Sequence, residues 1–106
     1  MARALAHADV FYAVADPTRR AILDRLRAAP APVKALAEDF RVSRPAVSKH
    51  LSVLRRARLV SETRAGRERI YKLEPDSLRQ IAGWIEGYRM FWMTSLNHLK
   101  RHLEEQ

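Results

Sequence analysis

The stretch RVSRPAVSKHLSVLRRARL, Arg41 to Leu59, leaves few folds open. A polar turn at Arg41-Val42-Ser43 ends on a serine placed as a helix N-cap, whose hydroxyl can accept a bond from a first-turn N–H. Pro45 falls inside that first turn, where a missing N–H costs little. Val47, Leu51 and Leu54 then recur at i, i+4 and i+7, a narrow apolar stripe along one side of a helix. At about 100° per residue, Pro45, Ser48, Lys49, Ser52 and Arg56 fall on the opposite side. That side is short-chained, polar and cationic, and the helix carries no carboxylate. Short hydroxyls let a helix into the DNA major groove, while Arg and Lys reach guanine edges or phosphates. Taken alone, a basic face is usually only a solvated one, so the rest of the chain decides.

The distribution of charge favours the first reading. The formal net charge is +8, and between Arg41 and Lys72 stand ten basic residues against two acids, Glu62 and Glu68. The remainder of the chain is neutral, so the whole imbalance sits on and around this helix, the electrostatic footprint of a polyanion-binding surface.

At 106 residues a single domain over 1–106 is expected, with a modest core. There is no cysteine, hence no disulfide framework and no thiol nucleophile. Arg3, His7 and Asp9 interrupt the N-terminal residues, so no signal peptide is expected at Met1–Ala8. No apolar run is long enough to span a membrane, and a cytoplasmic location is the default.

Read in order, His7 to Ala15 predicts a short helix with Phe11 and Val14 facing inward. Asp16 is a candidate N-cap with Pro17 as first helical residue, and the helix to Ala29 puts Ile22, Leu23 and Leu26 on its core side. Pro30-Ala31-Pro32 stops it, and a third helix is expected over Val33–Phe40. The candidate recognition helix follows at about 44–57. After Leu59 the period changes. Val60–Arg64 and Glu68–Leu73 alternate around Ala65-Gly66-Arg67, which predicts a β-hairpin at about 59–73 with Arg64, Arg67 and Arg69 at its tip. Hairpin edges are often charged against aggregation, but three arginines at one tip exceed that need.

Pro75 opens the last helix, expected to run to about Glu105 with a possible break. Leu78, Ile81, Trp84, Ile85, Tyr88, Trp92, Leu96, Leu99 and Leu103 form one long apolar stripe, widened by Met90 and Phe91. So large a stripe on a terminal helix of a small domain predicts a homodimer. Gly83 and Gly87 lie on the other side and mark a weak or bent point.

A turn into a basic-faced helix, followed by an Arg-tipped hairpin, is the order of a winged helix-turn-helix, mainly α with one β-hairpin. Here the chain resembles the ArsR/SmtB family of bacterial repressors. The resemblance rests on FYAVADPTRRAIL, SRPAVSKHLSVLRRARLV and RAGRERIYKL. The ending WIEGYRMFWMTSLNHLKRHLEE resembles members without metal-binding cysteines. Together these cover Phe11 to about Glu105.

The resemblance implies a dimeric repressor reading an inverted repeat in double-stranded DNA, with the terminal helices as dimer interface. Carried onto this chain, Ser43, Arg44, Ser48 and Lys49 would read bases. Pro45, Ser52 and Arg56 would share their face, and His50 would touch a phosphate or support packing. Arg64, Arg67 and Arg69 would serve the wing. The interface would comprise Phe11, Trp84, Tyr88, Phe91, Trp92, Leu96, Leu99 and Leu103. In one departure, Arg58 stands where the family usually has the glycine of a left-handed helix cap.

Metal sensing is not expected. Val33–Phe40 offers no thiol. His98 and His102 share a helix face near Glu105, but Arg89 and Phe91 stand near where the upstream Asp-x-His partner would be. No cofactor and no enzyme activity are expected either, since Ser48 and His50 diverge on one helix and no nucleophile elbow or phosphate loop is present. A winged helix that engages an acidic protein partner is the alternative. An effector is not identified by the sequence; the aromatics Trp84, Tyr88 and Trp92 could lodge an apolar one, or simply pack.

Overall fold

Side-chain caps start three of the helices. Asp9 accepts from the Phe11 N–H at 2.8 Å, Asp16 from the Arg19 N–H at 2.9 Å and Ser43 from the Ala46 N–H at 3.2 Å. The structure is a computed structural model and describes residues 9–105. Its helices are α1 (Val10–Val14), α2 (Pro17–Ala28), α3 (Val33–Phe40), α4 (Arg44–Arg56) and α5 (Arg79–Glu104). Its strands are β1 (Ala31–Pro32), β2 (Val60–Ala65) and β3 (Glu68–Leu73). The fold is therefore mainly helical with a small antiparallel sheet.

Ile22, Leu36, Val47, Leu51, Leu54 and Leu59 are fully buried, so α2, α3, α4 and the start of the wing meet in one core. All three stripe positions of α4 point into it, which commits the opposite face to the surface.

Several local expectations need correction. Phe11 does not face the core: Val10 and Ala13 do, while Phe11 is 37% exposed and meets Trp84 edge-to-face at 5.7 Å. The five-residue helix has room for only one inward edge, and the smaller side chains take it. The His7 end of the expected helix lies outside the described residues, as do Met1–Ala8. Residues Ala31 and Pro32 do more than end α2. They pair with Tyr71 and Ile70 of β3, giving the sheet order β1-β3-β2. Proline is tolerated there because β1 is an edge strand. Ala65 belongs to β2, and the loop shrinks to Gly66-Arg67. Gly66 has φ +65° and Arg67 does not share the positive φ, the pattern of a type II′ hairpin turn.

Pro75–Leu78 is a 3₁₀ turn, and α5 then runs unbroken through Gly83 and Gly87. Leu78 and Ile81 pack on the core; beyond them α5 leaves it. The radius of gyration of 18.4 Å reflects this projection, since a compact domain of this size has about 13 Å.

Arg58 adopts φ 60°, so the helix keeps the left-handed cap without the glycine. Its N–H donates to the Arg55 carbonyl at 3.0 Å and that of Leu59 to the Leu54 carbonyl at 2.9 Å, a Schellman pair. Leu54 and Leu59 are both buried, which holds the strained residue in place. Arg41, φ 54°, closes α3 in the same way, with the Val42 N–H on the Ala37 carbonyl at 3.2 Å. Two arginines thus occupy backbone positions that favour glycine. Arg58→Gly is expected to stabilise the protein by about 1 kcal/mol, raising Tm by roughly 4–8 °C. Calorimetry checks it, and an unchanged or lower Tm would show that the arginine bears no strain.

Candidate nucleic-acid interface

The capped turn and buried stripe orient α4 so that Arg44, Pro45, Ser48, Lys49, Ser52 and Arg56 are all exposed, with Ser43 at its start. His50 lies apart from them. Its ring is half-buried against the start of α2, with Nδ1 3.5 Å from Arg19 Nη1 and 3.9 Å from Asp16 Oδ2. The same Arg19 donates through Nε to the Ala13 carbonyl at 2.7 Å and through Nη2 to the Tyr12 carbonyl at 3.0 Å. One guanidinium therefore ties the end of α1 to the outward-facing helix, and His50 is its contact there. Asp16 titrates below the usual carboxylate range, chiefly because it accepts the Arg19 backbone N–H.

On the wing, Arg64, Arg67 and Arg69 are exposed, and Arg64 stands directly opposite Arg69 in the β2–β3 register. Like charges facing across a ladder destabilise a hairpin. Two arginines so placed are an electrostatic liability that a polyanion would relieve. Wing and helix converge on a cleft of about 290 Å³, where Arg44 and Ser48 face Arg67 and Arg69.

A polar tether beneath the wing escaped the sequence reading. Tyr71 donates its hydroxyl to Glu62 Oε2 at 2.6 Å, and Arg55 Nη1 reaches the same oxygen at 3.3 Å. Glu62 and Tyr71 are cross-strand partners, and Arg55 belongs to α4, so the wing is anchored to that helix through one carboxylate. The available signal was the alternation of β2, which puts Glu62 on the same side as buried Val60.

The Tyr71 hydrogen bond, seconded by Arg55, holds Glu62 below the usual carboxylate range despite burial. Burial first, and the Glu62 carboxylate next, push Tyr71 up. A depressed carboxylate stabilises the fold above its unfolded value near 4 and loses that contribution as pH falls through its folded value. A raised tyrosine keeps its contribution below about pH 10 and loses it above. Glu62→Gln is therefore expected to be less stable at pH 7 by about 1 kcal/mol and to lose less than the parent between about pH 5 and 3. Urea titrations across that range check it; identical acid limbs would exclude the tether.

Comparison with known proteins agrees with this geometry. Residues 14–63 match the profile described as a helix-turn-helix domain. The HTH-type transcriptional regulator Rv2034 of Mycobacterium tuberculosis is 48% identical over 84 residues, 79% of this chain and 76% of that protein. The chain belongs to the ArsR/SmtB family. The transcriptional repressor SdpR of Bacillus subtilis is 38% identical over 76% of this chain and 89% of its own length. An ArsR-like transcriptional regulator from Rhodococcus sp. RHA1 superposes with a TM-score of 0.68 at 33% identity, covering 95% of each chain.

As an ArsR/SmtB protein it is a DNA-binding transcriptional regulator of winged helix-turn-helix fold, and not an enzyme. Among the described residues, no group of three or more His, Cys, Asp or Glu side chains could hold a metal ion, and no helix is long and apolar enough to cross a membrane.

Proposed function

We propose that this ArsR/SmtB regulator is a homodimeric repressor that binds an inverted-repeat operator, including one at its own promoter. The observation that carries this reading is the division of α4. Its apolar stripe is fully buried, and its exposed face is cationic and flanked by an arginine-bearing wing. In this reading Ser43, Arg44, Ser48 and Lys49 read base edges, with Pro45, Ser52 and Arg56 along the same face. Arg64, Arg67 and Arg69 hold the flanking backbone. His50 acts from behind, through Arg19. The exposed stripe of α5, beside Phe11, supports a two-fold partner, with the two α4 helices about 34 Å apart, one DNA turn.

The test is a gel shift on DNA upstream of the coding region against random duplex. Arg44→Ala or Lys49→Ala is expected to cut discrimination between operator and random DNA by roughly 10-fold. Arg67→Ala should weaken both about equally, and log affinity should fall with log salt by about 0.9 for each phosphate contact. Equal affinity of the parent protein for both duplexes at every salt concentration would overturn sequence-specific repression.

A further inference from the structure

The cleft between α4 and the wing has a third wall. Pro32, Val33 and Lys34 at the start of α3 close it opposite Arg44, Arg67 and Arg69. The wall exists because of β1. Pairing of Ala31 and Pro32 with Tyr71 and Ile70 draws the first turn of α3 against the wing, next to Arg69. Without that strand, Lys34 would be one more solvated lysine.

Four cations therefore surround one cleft of about 290 Å³, with a single acid, Glu68, among the lining residues. Elsewhere the basic residues often have carboxylate partners: Arg25 with Asp39, Arg55 with Glu62, Arg79 with Asp76, Arg89 with Glu86. Among the described residues Lys34, Arg44 and Arg67 form no ion pair. Holding unpaired like charges around a concavity costs energy, and a tetrahedral oxyanion would offset it. The volume suits one such group with its water. It opens on the exposed face of α4, where Ser48 forms part of its lip.

We infer that this cleft seats one phosphate of the DNA backbone, and that Lys34 is a DNA-contacting residue. The inference rests on the DNA-binding reading above and extends it, because α3 becomes a third contacting element beside α4 and the wing. A backbone phosphate fixed here sets how deeply α4 enters the groove, so Lys34 supplies affinity and register but no base preference.

The experiment compares the full-length protein with Lys34→Ala and Lys34→Arg in salt titrations on operator and random duplex. Lys34 is exposed, so both variants are expected to keep the parent Tm. Lys34→Ala should lose about 3- to 10-fold on both duplexes alike, and its log–log salt slope should shrink by about 0.9 per subunit. Lys34→Arg should keep the parent slope. In the same series, one methylphosphonate is placed at successive backbone positions. At one position per half-site, removing the phosphate charge should weaken the parent more than it weakens Lys34→Ala, whose cleft keeps Arg44, Arg67 and Arg69. An unchanged slope and affinity for Lys34→Ala would overturn the inference while leaving DNA binding intact. Failure of the parent to bind any duplex would remove the DNA-binding reading itself, and the inference with it. Inorganic phosphate, titrated at constant ionic strength, should compete no better than chloride. Selective displacement of DNA from the parent, absent in Lys34→Ala, would reassign the cleft to a free anion.

Discussion

Trp92→Glu is expected to turn the protein into a monomer at micromolar concentration and to abolish tight operator binding. Trp92 lies mid-stripe on α5, with Tyr88, Leu96 and Leu99 around it, and all are exposed in the isolated chain. Even Trp84, which touches Phe11 and Tyr88, remains 57% exposed, and Leu103 near the end is 62% exposed. A two-fold interface is self-complementary, so one substitution buries two carboxylates. At about 2–3 kcal/mol for each unpaired group, dimerisation should weaken on the order of 10³- to 10⁴-fold. A monomer then holds only half an operator and forfeits an avidity gain of about 10²–10⁴. Sedimentation velocity and a gel shift read both effects. Met90→Glu is the control. Counted with the stripe in the sequence, Met90 in fact lies two residues from Trp92 on an unbroken helix, hence about 160° around it and on the opposite side. A Trp92→Glu protein that sediments like the parent would end the proposal that α5 joins two copies.

The face divisions of the long elements were readable because burial acts with the helical period. Val47, Leu51 and Leu54 had to point one way, and Ile22, Leu23 and Leu26 likewise. The Asp16 and Ser43 caps were legible for the same local reason: a cap needs only its own first turn. What escaped depends on contacts distant in sequence. The two residues of β1 are strand only because β3 lies beside them, and nothing local distinguishes Ala31-Pro32 from a helix stop. That omission hid Lys34, whose position relative to Arg69 is a product of the pairing. Nothing local distinguishes Arg19 from the other arginines of α2, yet its guanidinium reaches α1 carbonyls and His50, thirty-one positions on. In the wing, the three arginines were legible as charge, but the Arg64–Arg69 opposition needed the register, which the shortening of the turn to Gly66-Arg67 fixes. The charged surface was thus visible as composition, and its convergence on one cleft was not.

The second large effect is expected beneath the reading face. Leu51 is completely buried on the underside of α4, and the core it meets includes Ile22 of α2 and Leu36 of α3. Leu51→Ala removes that contact and leaves a cavity, costing about 2–5 kcal/mol, a large share of a typical stability of about 5–15 kcal/mol. Tm should fall by roughly 10–30 °C, compared at matched protein concentration because a dimer's Tm depends on it. Ser52→Ala, the next residue and about 100° around the helix, should change stability by less than about 0.5 kcal/mol. Its effect should fall on DNA affinity instead. Thermal melts and gel shifts on the same two proteins separate the outcomes. If Leu51→Ala melts within a degree or two of the parent, α4 is not held by its apolar stripe, and its cationic face has no fixed direction. If the two neighbours divide as expected, the placement of Arg44, Ser48 and Lys49 is set from underneath. The affinity of this surface for DNA then depends on Leu51, which touches none of it, as much as on the charges themselves.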